Sequence, residues 1–180
     1  MKKVTHPYYK DYPVQPYINP ERDLDMWENF PERFPYGKIA KVDITPVEEG
    51  LVPGDIVLLW RIGFNNVTTE TWMPDYFEYR YGINTDDSIK LLTEKGYIYL
   101  GSALETLDLL NAEVLKRMLK SKGLPVSGKK QDILERVVIN LSPEELEASF
   151  PQRKYAITPQ GRSILEKYPN IIKKHGPKMM

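Results

Sequence analysis

Between Leu107 and Leu141 the apolar residues recur in two short stripes. Leu110, Val114, Leu115, Met118 and Leu119 fall at i, i+4, i+5, i+8 and i+9, a period near 3.6 that gathers them on one side of a helix. Ile133, Leu134, Val137 and Val138 repeat a shorter stripe in a second helix. The connection Gly-Leu-Pro-Val-Ser-Gly is short enough for each stripe to be the other's partner. Gly123 follows a lysine-rich last turn, where a left-handed residue is easiest without a Cβ. Leu124 is placed to fold back as an apolar plug, and Pro125 forbids the helix from continuing. Ser127 is the expected N-cap of the second helix, worth about 1 kcal/mol.

The flanking pattern is mixed. Lys38 to Ile44 alternates with period two and Asp55 to Arg61 is a more continuously apolar run, so both read as strands, with Pro53-Gly54 forming a type II turn before the second. A short helix is expected from Asp86 to Lys95, capped by Thr85 and closed by Gly96. Tyr97 to Leu100 reads as a strand, followed by a capping box of Ser102 with Glu105. Ser142-Pro143 starts a brief helix, Lys154 to Ile157 is a strand, and Thr158-Pro159 opens a helix to about Tyr168. The strands at 97–100 and 154–157 bracket the helical pair and are expected to pair antiparallel as its stem. A module under ~40 residues has too little core to stand robustly alone.

Residues 1–37 differ in kind, with Pro7, Pro13, Pro16, Pro20, Pro31 and Pro35 alternating with tyrosines, Trp27 and phenylalanines. Such proline density forbids long helices and central strands, and so many aromatics argue against plain disorder. An extended arm is expected, with a short helix near Asp23 to Asn29, lying on its own domain or docking on a partner protein. The fold class predicted is α+β: a helical hairpin carried on a small antiparallel strand pair, with this arm in front. The segments are 1–37 (arm), 38–100 (a small β-containing region with a short helix), 101–150 (the helical domain) and 151–180 (strand, helix and basic tail).

Charge changes the picture of the hairpin. The chain is neutral overall, yet between Ala112 and Ile139 the cations Lys116, Arg117, Lys120, Lys122, Lys129, Lys130 and Arg136 face only Glu113, Asp132 and Glu135. Lys129 and Lys130 fall at a helix start, where the dipole disfavours cations, so helix stability does not explain them. A phosphate would: Gly128 permits close backbone approach, the helix start offers free amides, and the lysines add charge. A solvated lysine face is the alternative. Residues 151–180 carry seven cations against Glu166 alone, which favours a nucleic-acid partner.

The residues Leu110, Leu115-Lys116, Leu119, Gly123-Leu124-Pro125, Ser127-Gly128, Lys130, Ile133-Leu134 and Glu135-Arg136-Val137 together resemble the SAP domain, a helix–extended loop–helix DNA-binding module, over about a fifth of the chain. The resemblance implies binding to double-stranded DNA, often A·T-rich, through Lys116, Arg117, Lys120, Lys122, Ser127, Gly128, Lys129, Lys130 and Arg136. Val114 and Met118 depart from the family pattern, where polar residues are usual. Both add apolar surface, as if the hairpin packs on the rest of its chain.

Other chemistry is sparse. There is no cysteine, hence no disulfide, thiolate nucleophile or zinc knuckle. The two histidines, His6 and His175, lie near the termini. The adjacent carboxylate pairs are accounted for by helix starts and a turn. No catalytic residue, metal site, cofactor or small-molecule substrate is expected, and no apolar run reaches the ~18 residues of a membrane span. The aromatics from Trp72 to Gly82 around Arg80 suit either a core or base stacking. Two functions are compatible with these features: a non-catalytic DNA-binding protein, or a structural component, for example of a bacteriophage particle, whose arm docks on other subunits. The expected location is cytoplasmic, or the virion in the second case.

Overall fold

A computed structural model of the chain describes residues 5–30 and 37–176. In chain order the α-helices are α1 (Leu24–Asn29), α2 (Pro53–Ile62), α3 (Tyr76–Tyr79), α4 (Thr85–Glu94) and α5 (Ala103–Thr106). Then come α6 (Ala112–Ser121), α7 (Lys130–Asn140), α8 (Pro143–Ser149), α9 (Pro159–Lys167) and α10 (Pro169–His175). The strands are β1 (Ile98–Leu100) and β2 (Tyr155–Ile157). The chain forms two compact units, one of Met1–Gly63, Trp72–Ile98 and Ile157–Met180, the other of Phe64–Thr71 and Tyr99–Ala156.

The first unit is built on α2, which packs against α4, α9 and α10. Ile56, Val57, Leu58, Leu59 and Ile62 are all fully buried. The sequence pattern predicts a strand here; the structure corrects it to a helix. A continuous apolar run does not separate the two, and the deciding signals sit at its start. Pro53 occupies the first turn of α2, where its missing N–H costs nothing. The Asp55 carboxylate accepts from the Val52 amide at 2.9 Å. The strand expected over Lys38–Ile44 is also absent: Lys41–Asp43 form a 3₁₀ turn. Its backbone finds partners in the arm instead, the Ile39 N–H donating to the Tyr9 hydroxyl (3.1 Å) and the Tyr12 hydroxyl donating to the Ile39 carbonyl (2.6 Å).

Over its described residues the arm is packed into this unit. Tyr9 and Ile18 are buried, and the Tyr17 amide donates to the Gly82 carbonyl at 2.6 Å. Arg22 pairs with Glu78. The short helix expected near Asp23 is α1, with Asp23 capping the Met26 amide at 2.8 Å. Residues 1–4 and 31–36 of the expected arm lie outside the described residues. The cap of α4 is Asn84 rather than Thr85, its side chain accepting from Asp87 N–H at 3.1 Å. Gly96 takes φ +73°, as its place after that helix requires.

β1 and β2 pair antiparallel, flanked by Gly101 N–H to Lys154 O (2.7 Å) and Thr158 N–H to Tyr97 O (3.0 Å). This is the strand pair predicted to bracket the hairpin. In the second unit Val67 and Thr68 supply a further short pairing, with Thr68 bridged antiparallel to Lys154 and Tyr155 N–H donating to Val67 O at 2.9 Å.

Gly161 in α9 passes the backbone of Tyr97 so closely that a Cβ would lie 2.2 Å from the Tyr97 carbonyl oxygen and 2.8 Å from Ile157 Cγ1. Backbone cannot yield as a flexible side chain can. Gly161→Ala is therefore expected to destabilise the chain by about 1–3 kcal/mol, read as a lowered midpoint in chemical denaturation. Gly96→Ala has open space around its Cβ but a left-handed φ, so it carries only the backbone strain of that conformation, about 1 kcal/mol, without the steric clash.

Candidate nucleic-acid interface

The hairpin forms because its caps and its core agree. Ser102 and Glu105 make the expected reciprocal capping box at α5, the Glu105 carboxylate accepting from Ser102 N–H at 2.8 Å. Ser142 and Glu145 do the same at α8. Asn111 caps α6 by accepting from Val114 N–H at 3.0 Å, a cap visible in the Asn-Ala-Glu start but not among the expected ones. Leu110, Leu115, Met118 and Leu119 join Ile133 and Val137 in one buried cluster, closed by Leu107, Leu141, Leu146 and Phe150. The two helices pack together as predicted, through Ile133, Leu134 and Val137 of the second stripe, while Val138 is exposed.

The connection bends as the residues demand, with one correction. Gly123 is left-handed at φ +67° and the Leu124 amide turns back to the Leu119 carbonyl at 3.0 Å. Leu124 is half-buried against the cluster, as the expected plug. Ser127, however, does not cap α7. Gly128 at φ +119° moves the helix start on, so Lys129 is the N-cap residue and its amide donates to Asp132 Oδ2 at 3.0 Å. Ser127 is exposed and contributes its carbonyl, which together with that of Pro125 accepts from the Arg136 guanidinium at 3.1 and 2.6 Å. Arg136 thus pins the loop that precedes Gly128 and Lys129.

The nine candidate residues are not all brought to one place. At about 100° per residue, Lys116 and Lys120 share a face of α6 with Glu113, which Lys116 contacts at 3.1 Å. Arg117 is exposed on the far side of Glu113 on that same face, where with Val114, Met118, Phe150 and Pro151 it also lines an open groove of about 330 Å³. The apolar departures at Val114 and Met118 lie there and in the cluster, on the hairpin's own unit. Lys122 is drawn to Glu145 of α8, and its ammonium holds that carboxyl below the usual carboxylate range. Lys130 donates to the Asp108 carbonyl at 2.8 Å. Lys120 and Lys129 are exposed and have no ion-pair partner among the described residues. Gly128, Lys129, Lys130 and the loop held by Arg136 are the group that the fold assembles.

The geometry is that of a short helical hairpin with a glycine-bearing loop and a basic start to its second helix. Residues 106–141 match the family model of the SAP domain. No curated protein matches the chain significantly. The SAP match points to nucleic-acid binding as the general activity of this segment. Among the described residues no cluster of three histidine, cysteine or acidic side chains is placed to hold a metal ion, and no helix is long and apolar enough to cross a membrane. The aromatic stretch around Arg80 is core: Tyr76, Phe77 and Tyr81 are buried, leaving Trp72 exposed.

Both carbonyls are held by the one nitrogen Nη1 of Arg136, so the variant that removes the contact is Arg136→Ala. It should raise amide exchange across Val126–Lys129 several-fold while α6 keeps its protection, measured by hydrogen exchange on the full chain.

Proposed function

We propose that this chain is a non-catalytic, duplex DNA-binding protein that grips phosphates through the start of α7 and the adjacent face of α6. The observation that carries the reading is Lys129 and Lys130 at a helix start. Like charge opposes the dipole there, costing about 0.3–1 kcal/mol each at low ionic strength, and Asp132 in the same turn gives its carboxylate to the Lys129 amide, with no ion pair to either ammonium among the described residues. An incoming phosphate would reverse that cost. Arg136 fixes the backbone ahead of Gly128, so little ordering is left for the bound state. Lys116 and Lys120 extend the basic strip along α6, giving contacts to phosphates rather than base edges. An A·T-rich preference would then come from groove shape and deformability.

With Lys116, Lys120, Lys129, Lys130 and Arg136 neutralising about five phosphates, the log–log slope of duplex affinity against salt should be roughly −4 to −5. Lys129→Glu with Lys130→Glu should abolish binding in fluorescence anisotropy while circular dichroism shows an intact, cooperative fold, since acids suit a first helical turn. Unchanged duplex retention by the double variant would refute the assignment. Equal binding of single strands would refute the duplex preference alone.

A further inference from the structure

α10 ends in a histidine whose burial the nucleic-acid reading does not use. His175 is 3% exposed. Its Nδ1 lies 2.7 Å from the Tyr81 hydroxyl, and burial pushes that phenol up to about 12. The phenol therefore keeps its proton and donates it, which makes Nδ1 the acceptor and leaves the ring's own hydrogen on Nε2. Nε2 is buried and has no hydrogen-bond partner among the described residues. The ring is boxed by aromatics: Trp60 of α2 edge-on at 5.8 Å, Tyr76 of α3 at 5.0 Å and Tyr81 at 5.6 Å between centroids.

The charges around this box are mostly positive. Arg80 donates to the carbonyls of Lys174 (3.1 Å) and His175 (3.4 Å), closing the end of α10. Arg61 of α2 acts on Tyr76, lowering a phenol that burial pushes up. Asp43 is engaged by Lys174. α9, which also packs on α10, carries Arg162, Glu166 and Lys167; all three are exposed, and Lys167 is held by Glu48 and Glu49. A helix C-terminus ordinarily favours an imidazolium, but here the terminal carbonyls already accept from Arg80.

We propose that α10 is a proton-released latch: it stays docked on α2 while His175 is neutral, and a proton taken up by His175 from solvent frees it, with Lys173 and Lys174. The added proton sits on Nδ1, so the Tyr81 hydroxyl must turn to accept it and its own hydrogen loses the acceptor it had. The charge is then shared with an Nε2–H that has nothing to bond. Leaving the box returns that charge to water, and Lys174 leaves Asp43 with it. Burial first, and the Arg80 charge second, hold the imidazole below its usual range. With the docked value below the undocked one, docking is complete above about pH 6.5 and is lost as pH falls through the docked value.

The two histidines make the test direct. Imidazole Cε1–H signals of the full chain are titrated by NMR from pH 8 to 5, with amide exchange over Pro169–His175 followed in the same samples. His175 should titrate below the ordinary imidazole range, in step with loss of protection in α10, while Val57 and Leu58 in α2 stay protected. His175→Phe, which keeps a packed ring without a titrating nitrogen, should hold α10 protected to pH 5. The latch is overturned if α10 stays protected through the titration of His175, if His175 titrates at its ordinary value with α10 docked, or if the loss persists in His175→Phe. Should that variant fail to fold, coincidence or separation of the two wild-type transitions decides.

Discussion

Helices of ten and eleven residues cannot bury their apolar stripes against each other alone, and that shortage shapes the second unit. Leu115, Leu119, Ile133 and Val137 close the seam between α6 and α7. The remaining apolar edge, Leu110, Val114 and Met118, needs cover from outside the hairpin. Leu146 within α8 and Phe150 at its C-cap provide that cover. Val114 and Met118 are thereby explained as the side of the hairpin that meets its own unit. Arg117, at the edge of the polar face of α6, is also the rim of the groove they line.

The cations divide according to what the backbone asks of them. Arg136 commits its guanidinium to two loop carbonyls, Lys130 reaches the Asp108 carbonyl, and Lys122 is tied to Glu145. Each remains a positive charge, but each also fixes the chain on which Lys129 and Gly128 are displayed. Surface pairs such as Lys116 with Glu113 contribute little to stability and are easily exchanged for a phosphate. A basic surface assembled this way is ordered before any ligand arrives, which favours affinity through reduced ordering cost.

The first unit is organised differently. α2 is apolar nearly all round because neighbours cover it on several sides, and it tolerates Asp55 only because Ser88 Oγ at 2.6 Å and the Val52 amide satisfy that carboxylate. Burial nonetheless pushes Asp55 up from its ordinary range. His175 is the counterpart at the other end of the unit, a base kept neutral in an aromatic box.

The sequence by itself determined the hairpin: its stripes, the left-handed Gly123, the Leu124 plug, the capping boxes at Ser102 and Ser142, and the strand pair that brackets them. These are local, since periodicity and end chemistry act within a few residues. It did not decide between strand and helix for Asp55–Arg61, because a run buried on every side has no periodicity left to read. Nor did it place the start of α7, where Gly128's turn passed the cap from Ser127 to Lys129 and Asp132. The partners of Arg136, Lys130 and Lys122, and the burial of His175, came only from tertiary structure. Each depends on groups distant in sequence, and no local pattern records which carbonyl, carboxylate or ring will be within reach.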